Sequence, residues 1–204
     1  MADITSSQFP TTPSFSAVNF ETVTPILTSE TNSGKVRRAG FGHSYYTFDA
    51  QYPTLTYNEA QTILGWLAQT AGQLFSFEIV LPLVSQSRAT NTSATLTTSA
   101  NVTAGARSVT LSGLGNTQNV LKAGDFFKFS THTKVYQCAA DVTSSAGGTA
   151  TLSFSGGAVT SVTSGATITR YNVPFTVTQT EDSGSVEYGP GGLARLSVKM
   201  REVW

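Results

Sequence analysis

The sequence predicts a mainly β protein with a single α-helix: a β-sandwich or split-barrel body that carries an inserted small β-barrel. Three observations predict it. Most apolar stretches alternate with polar residues, the period of a half-buried strand. One segment, at about residues 57–71, instead repeats its apolar residues at helical spacing. The composition also changes at about Ser85, runs rich in Ser, Thr, Ala and Gly as far as Ile168, and then returns to its first style.

Residues 1–16 read as an extended lead, because Pro10 and Pro13 among Ser and Thr forbid a helix. Residues 17–27 (AVNFETVTPIL) read as one strand with Val18, Phe20 and Thr22 on one side. Residues 30–38 (ETNSGKVRR) form a turn and a basic spot. Alternation places Lys35 and Arg37 on one face and Arg38 on the other, to meet an acidic patch of a partner or to lie on a solvated hairpin.

Residues 45–82 (YYTFDAQYPTLTYNEAQTILGWLAQTAGQLFSFEIVLP) form the expected core: strand, capped helix, strand. Tyr46, Phe48, Ala50 and Tyr52 share one face of the first strand, and Phe75, Phe77, Ile79 and Leu81 one face of the second. Pro53 and Pro82 end the two strands by removing a ladder donor. Thr56 and Glu59 have capping-box spacing. Ala60, Ile63, Leu64, Leu67 and Ala71 make an apolar stripe, and Gly72 sits at the expected left-handed exit.

Six short strands are expected in the Ser/Thr-rich middle, at 94–98, 108–112, 125–130, 134–139, 150–154 and 166–171, with Gly147-Gly148 and Gly156-Gly157 as turns. The pair at 125–130 and 134–139 is a hairpin turned by THT. Short strands at this spacing suggest a small barrel or sandwich. After it, VPFTVTQ (173–179) alternates, and 185–188 leads through GPGG into a long strand at 193–203 with Leu196, Val198 and Met200 on one face. The division expected is one discontinuous β domain, 1–87 and 171–204, holding the helix, with a small all-β domain at 88–170.

Charged residues make up 12% of the chain, about half the usual share, and Lys+Arg and Asp+Glu each number 12. That balance carries no basic footprint for nucleic acid and no acidic tail. A surface with so few charges suits a chain packed in an assembly, an adhesive or sugar-handling surface, or an ordinary Ser/Thr-rich β protein. Cys138 is the single cysteine, so an intrachain disulfide is excluded; a buried strand thiol is expected rather than one activated by Lys134. The start lacks the basic and apolar regions of a signal peptide, and the absence of any run of 18 apolar residues implies no membrane span.

Candidate chemistry is sparse. His43 and His132 fall in different expected domains, without a nucleophile-elbow pattern. Asp125 reads as a turn residue. Metal-ligand spacings are lacking, and GLGNTQN (113–119) lacks the strand-to-helix context of a dinucleotide site. Glu181 and Asp182 are adjacent and in a turn, not spaced as a glycosidase pair. Tyr45, Tyr171, Tyr188 and Trp204 are candidates to stack on sugars, with core packing as the alternative. The expectation is no enzyme, with no catalytic residue, no metal and no cofactor.

The order FPTTPSFSAVNFE, then RRAGFGHSYYTFDAQYPTLTYNEAQTILGWLAQTAGQLFSFEIVLP, then LKAGDFFKFSTHTKVYQCAADV, then VPFTVTQTED with a closing hairpin, resembles the distal tail or baseplate-ring proteins of long-tailed bacteriophages. The resemblance implies a virion structural protein, made in the host cytoplasm. It would form a ring, commonly a hexamer, that joins the tail tube to the host-recognition tip. Implied partners are copies of itself, the tail tube, and hub or fibre proteins; a compatible rival reading adds host surface glycans held by the insert. Alternatives from the same residues are a carbohydrate-binding module or adhesin, and a tail-tube or tail-completion protein.

Overall fold

The computed structural model describes residues 9–10, 12–40, 43–92, 94–181 and 186–204. Residues 1–8 of the expected lead, Asp182, and the Ser185 start of the closing hairpin lie outside them. In chain order the first elements are β1 (Ala17–Val23), β2 (Ile26–Glu30), β3 (Val36–Gly40), β4 (Tyr45–Gln51), β5 (Leu55–Thr56), α1 (Tyr57–Gln69) and β6 (Phe77–Ile79). There follow β7 (Leu96–Thr98), β8 (Ser108–Ser112), β9 (Asn119–Leu121), β10 (Phe126–Phe129), β11 (Val135–Gln137), β12 (Val142–Thr143), β13 (Ala150–Ser153) and β14 (Thr167–Thr169). The chain closes with β15 (Phe175–Gln179), β16 (Val186–Tyr188) and β17 (Leu193–Glu202). The fold is mainly β, with curled sheets of the sandwich or half-barrel kind and, among the described residues, a single α-helix.

The outer sheet runs β1-β4-β17-β15-β6, with β5 and β16 also paired to β17. Its ten-residue strand β17 alternates buried and exposed along its whole length, and Leu196, Val198 and Met200 face inward as the pattern predicts. The far half of β17 is paired on both sides, Met200 opposing Phe48 of β4 and Gln179 of β15. Its near half pairs with β5 and β16. A strand from the C-terminal end thus lies in the middle of a sheet begun in the first fifty residues.

Helix α1 packs on this sheet because Ala60, Ile63 and Leu67 fall on one side and are buried, with Leu64 and Trp66 partly buried against the same core. Its start is the predicted capping box: the Thr56 hydroxyl accepts from Glu59 N, and the Glu59 carboxylate accepts from Thr56 N at 2.8 Å. Its end departs from the prediction. The helix stops at Gln69, Thr70 is the C-cap, and Ala71 is exposed and already left-handed (φ 48°), before Gly72 (φ 66°). The reason lies in β15, where the buried Gln179 amide donates to Leu67 O at 3.3 Å and to Thr70 Oγ1 at 2.5 Å. This amide and the Thr70 hydroxyl both donate to the Leu67 carbonyl at the helix end, which also accepts from Thr70 N.

The strand expected over 17–27 is two strands. Pro25 has no N–H to continue the ladder, so β1 ends at Val23 and β2 begins a separate two-stranded hairpin with β3. Thr22 opposes Tyr46, on the core-side face as expected, but it is exposed at the strand's end.

The middle sheet runs β11-β10-β14-β7-β8-β13, which are the six expected strands; β9 and β12 form an additional pair. Phe127 opposes Tyr136 across the THT hairpin, and Phe127 and Phe129 are fully buried in a cluster with Leu111, Leu152 and Phe154. At Gly148, φ is 69° and a Cβ would stand 2.2 Å from the Leu114 carbonyl, so the Gly147-Gly148 turn requires glycine here.

The helix stripe is the test of this packing. Ile63→Ala should cost about 2–5 kcal/mol and Thr56→Ala about 0.5–2 kcal/mol. Urea unfolding checks both: the midpoint falls, and the denaturant slope is unchanged.

Candidate functional site

Both crossings between the outer and middle sheets are held as a two-stranded neck. Ser87 N donates to Arg170 O and Val173 N to Ser85 O, each at 3.0 Å. The side chains of Gln86 and Asn172 meet at 2.5 Å. Asp125, expected to serve only a turn, pins the outgoing crossing. Its Oδ2 accepts from Ser87 Oγ, Arg88 N and Lys122 N, and its Oδ1 from Arg88 Nε at 2.8 Å. Burial pushes this carboxyl up, but the bonds from Ser87, Arg88 and Lys122 outweigh it and hold its pKa below the usual value. Arg170 pins the returning crossing: its guanidinium, buried, donates to the Val120 and Ala94 carbonyls.

A second tie lies beyond the neck. Lys134, between β10 and β11, reaches Glu202 at the end of β17, 2.6 Å away, and both are buried. The other carboxylate oxygen of Glu202 accepts from Val135 N at 2.9 Å, and Lys134 Nζ also donates to Val135 O at 2.8 Å. The ammonium sits over the rings of Tyr46 (4.6 Å) and Trp204 (4.8 Å). Burial pulls the Lys134 pKa below its usual value against the opposing pull of Glu202, and pushes that of Glu202 up against Lys134. Around the pair the contact is apolar. Phe126 and Val135 of the middle sheet belong to the outer core, with Phe126 5.1 Å from Phe20, 5.3 Å from Tyr46 and 5.7 Å from Phe175. Lys128 and Glu78 add a partly buried pair at 3.3 Å.

The residues singled out for chemistry are not brought together. His43 Nδ1 lies 3.2 Å from the Gly156 carbonyl, at the boundary between the sheets. His132 Nε2 bonds the Tyr136 hydroxyl at 2.7 Å, while its Nδ1 lies near Thr131 and Thr160. Burial, then Lys134 and Lys128, lower its pKa. Cys138 is buried one residue past the end of β11, in an isolated bridge to Phe154; its thiol donates to Ala140 O, and burial pushes it up to about 11, as an unreactive thiol requires. Glu181 pairs with exposed Lys199. The loop 113–119 joins β8 to β9, where Ser144 Oγ bridges it by donating to Gly115 O and accepting from Gln118 N.

The four sugar-stacking candidates scatter. Tyr45 lies under Arg201 at 4.0 Å, Tyr171 is held by Arg170 and Asn91, Tyr188 accepts from Gln61 beside Tyr57, and Trp204 covers Lys134. Among the described residues, no group of three or more His, Cys, Asp or Glu is placed to hold a metal ion, and no helix is long and apolar enough to cross a membrane.

The basic spot keeps its predicted form. Lys35, Arg37 and Arg38 lie on the β2–β3 hairpin, whose ten strand residues are all exposed, Ile26, Leu27 and Val36 among them. Among the described residues its strands pair only with each other. The arrangement as a whole combines a tied neck, a buried cross-link and an exposed arm.

Residues 87–172 match the family model described as the B domain of the distal tail protein pb9. No curated protein matches the chain. The match begins and ends at the neck, and it bears out the resemblance to bacteriophage distal tail proteins and, with it, a structural role in a phage tail.

Two substitutions test the ties. Lys134→Ala strands a buried carboxylate and should cost about 3–5 kcal/mol, while Lys134→Met with Glu202→Leu should recover most of that loss; denaturant midpoints give both. Asp125 has a lower pKa folded than unfolded, so the unfolded chain takes up the proton first as the solution is acidified. Its stabilisation is therefore present above the usual carboxylate range and lost as pH falls through and below it. Asp125→Asn should lower stability at neutral pH and flatten this acid limb in melts taken across pH.

Proposed function

We propose that this bacteriophage distal tail protein forms a closed ring, six copies in its simplest form, at the end of the tail, and joins the tail tube to the host-recognition tip. The observation that carries the reading is the match of residues 87–172 to a distal tail protein's B domain. The ring body is residues 1–87 with 171–204, and residues 88–170 are a small β domain inserted in it. That division is supported by the strand order, since every strand of the outer sheet comes from before Ser87 or after Arg170. Insertion at a loop is thermodynamically tolerable because closure entropy grows only logarithmically with loop length.

Ring closure follows from head-to-tail contacts between identical subunits. The outer sheet has what such contacts need: β1 and β6 lie at its two ends, and an open edge invites completion by another chain. The inserted domain, fixed by the neck and by Lys134–Glu202, would project at a set angle instead of swinging. The low charge of the chain fits a surface largely covered by neighbours. In the virion the partners are copies of the same chain, the tail tube on one side, and hub or fibre proteins on the other.

Native mass spectrometry and negative-stain imaging of the purified protein test this. A six-fold ring, with the same ring recognisable at the tail end of the particle, is expected. A monomer at every concentration, with no such ring on virions, would contradict it.

A further inference from the structure

The β2–β3 hairpin is a physical anomaly. A two-stranded ribbon has no core of its own and is marginal in water. Yet this one stands with both faces bare and with Ile26 and Leu27 more than half exposed. Such a ribbon needs a covering surface, and the charge distribution says which. The arm (residues 24–40) carries three cations and one carboxylate. The rest of the outer body carries nine carboxylates against three cations, and residues 88–170 carry two against six. The net charge of zero thus conceals an acidic body, a basic insert and a basic arm. A neighbour's insert repels the arm, and a neighbour's outer body attracts it.

On that body the outward face of β1, β4 and β17 holds a groove of about 350 Å³ lined by Glu21, Asp49 and Lys199. Lys199 is hydrogen-bonded to Glu181. Oδ1 of Asp49 is buried without a hydrogen bond, and Glu21 makes no ion pair among the described residues. A guanidinium arriving there meets two carboxylates that make no ion pair among the described residues, and its fork suits a carboxylate.

We infer that the β2–β3 arm of one copy lies across the β1–β4–β17 face of the next, placing Lys35, Arg37 and Arg38 against Glu21 and Asp49 and covering Ile26 and Leu27. The contact is heterologous, so it propagates around a ring; the inference rests on the ring reading and specifies its interface. It also makes assembly sensitive to ionic strength, because pairs at the rim of such a contact are screened.

A charge swap tests it. The arm variant (Lys35→Glu, Arg37→Glu, Arg38→Glu) and the face variant (Glu21→Lys, Asp49→Lys) should each self-associate about tenfold more weakly or worse. Mixed in equal amounts, they should assemble again, because each then meets opposite charge; sedimentation velocity reads all three samples. Circular dichroism checks folding, and Asp49→Asn, with the same loss of association, replaces a face variant that does not fold. If the unaltered protein assembles and the arm variant assembles equally well, the arm's partner is not a second copy and the inference fails. It fails too if the mixture stays apart. An unaltered protein that never assembles, with no ring on virions either, sinks the ring reading itself, a result separable from either of these.

Discussion

The structure depends on where β17 lies. A strand from residues 193–202 is inserted between β4, complete by residue 51, and β15. Without it β1 and β4 would be a ribbon apart from β15 and β6, and Tyr46, Phe48 and Phe175 would lose the Val198 and Met200 wall of their cluster. The outer core therefore cannot close until both ends of the chain are present. Everything between residues 88 and 170 has to leave and return through one place, and the chain spends its buried charges there. Asp125 and Arg170 fasten the two crossings, and Glu202, on the last turn of β17's alternation, receives Lys134 from the middle sheet.

Buried ion pairs are weak devices for stability, because desolvation offsets most of their attraction, but they are strong against being half-broken. That asymmetry suits a junction. An apolar contact such as Phe126 against Phe20 and Tyr46 tolerates sliding. A Lys134–Glu202 pair of 2.6 Å, with a backbone N–H on the second oxygen, does not. The two together give a connection between the two sheets that is both adhesive and fixed in register.

Local features were readable from the residues alone. Thr56 and Glu59 are three apart and cap the helix as such spacing demands, and the alternation of Leu196, Val198 and Met200 places the inward face of β17. The basic spot on its hairpin was readable for the same reason. What escaped was nonlocal or too short. Asp125 follows a glycine and looks like a turn residue, yet its partners Ser87 and Arg88 lie nearly forty residues earlier. In the sequence Lys134 stands out by its nearness to Cys138, while its partner Glu202 is 68 residues away. Strands β9 and β12, of three and two residues, are too brief to show a period, and the helix end was decided by Gln179, more than a hundred residues on. No spacing rule sees such pairs.

Native-state hydrogen exchange on the full chain tests the central role of β17 most directly. The account predicts that amides of β17 between Ser197 and Arg201 exchange at the same slow rate as their partners in β4 and β15, as one cooperative unit. Fast, independent exchange along β17 while β4 stays protected would mean that the closing strand is an accessory to a core complete without it, and would contradict the account.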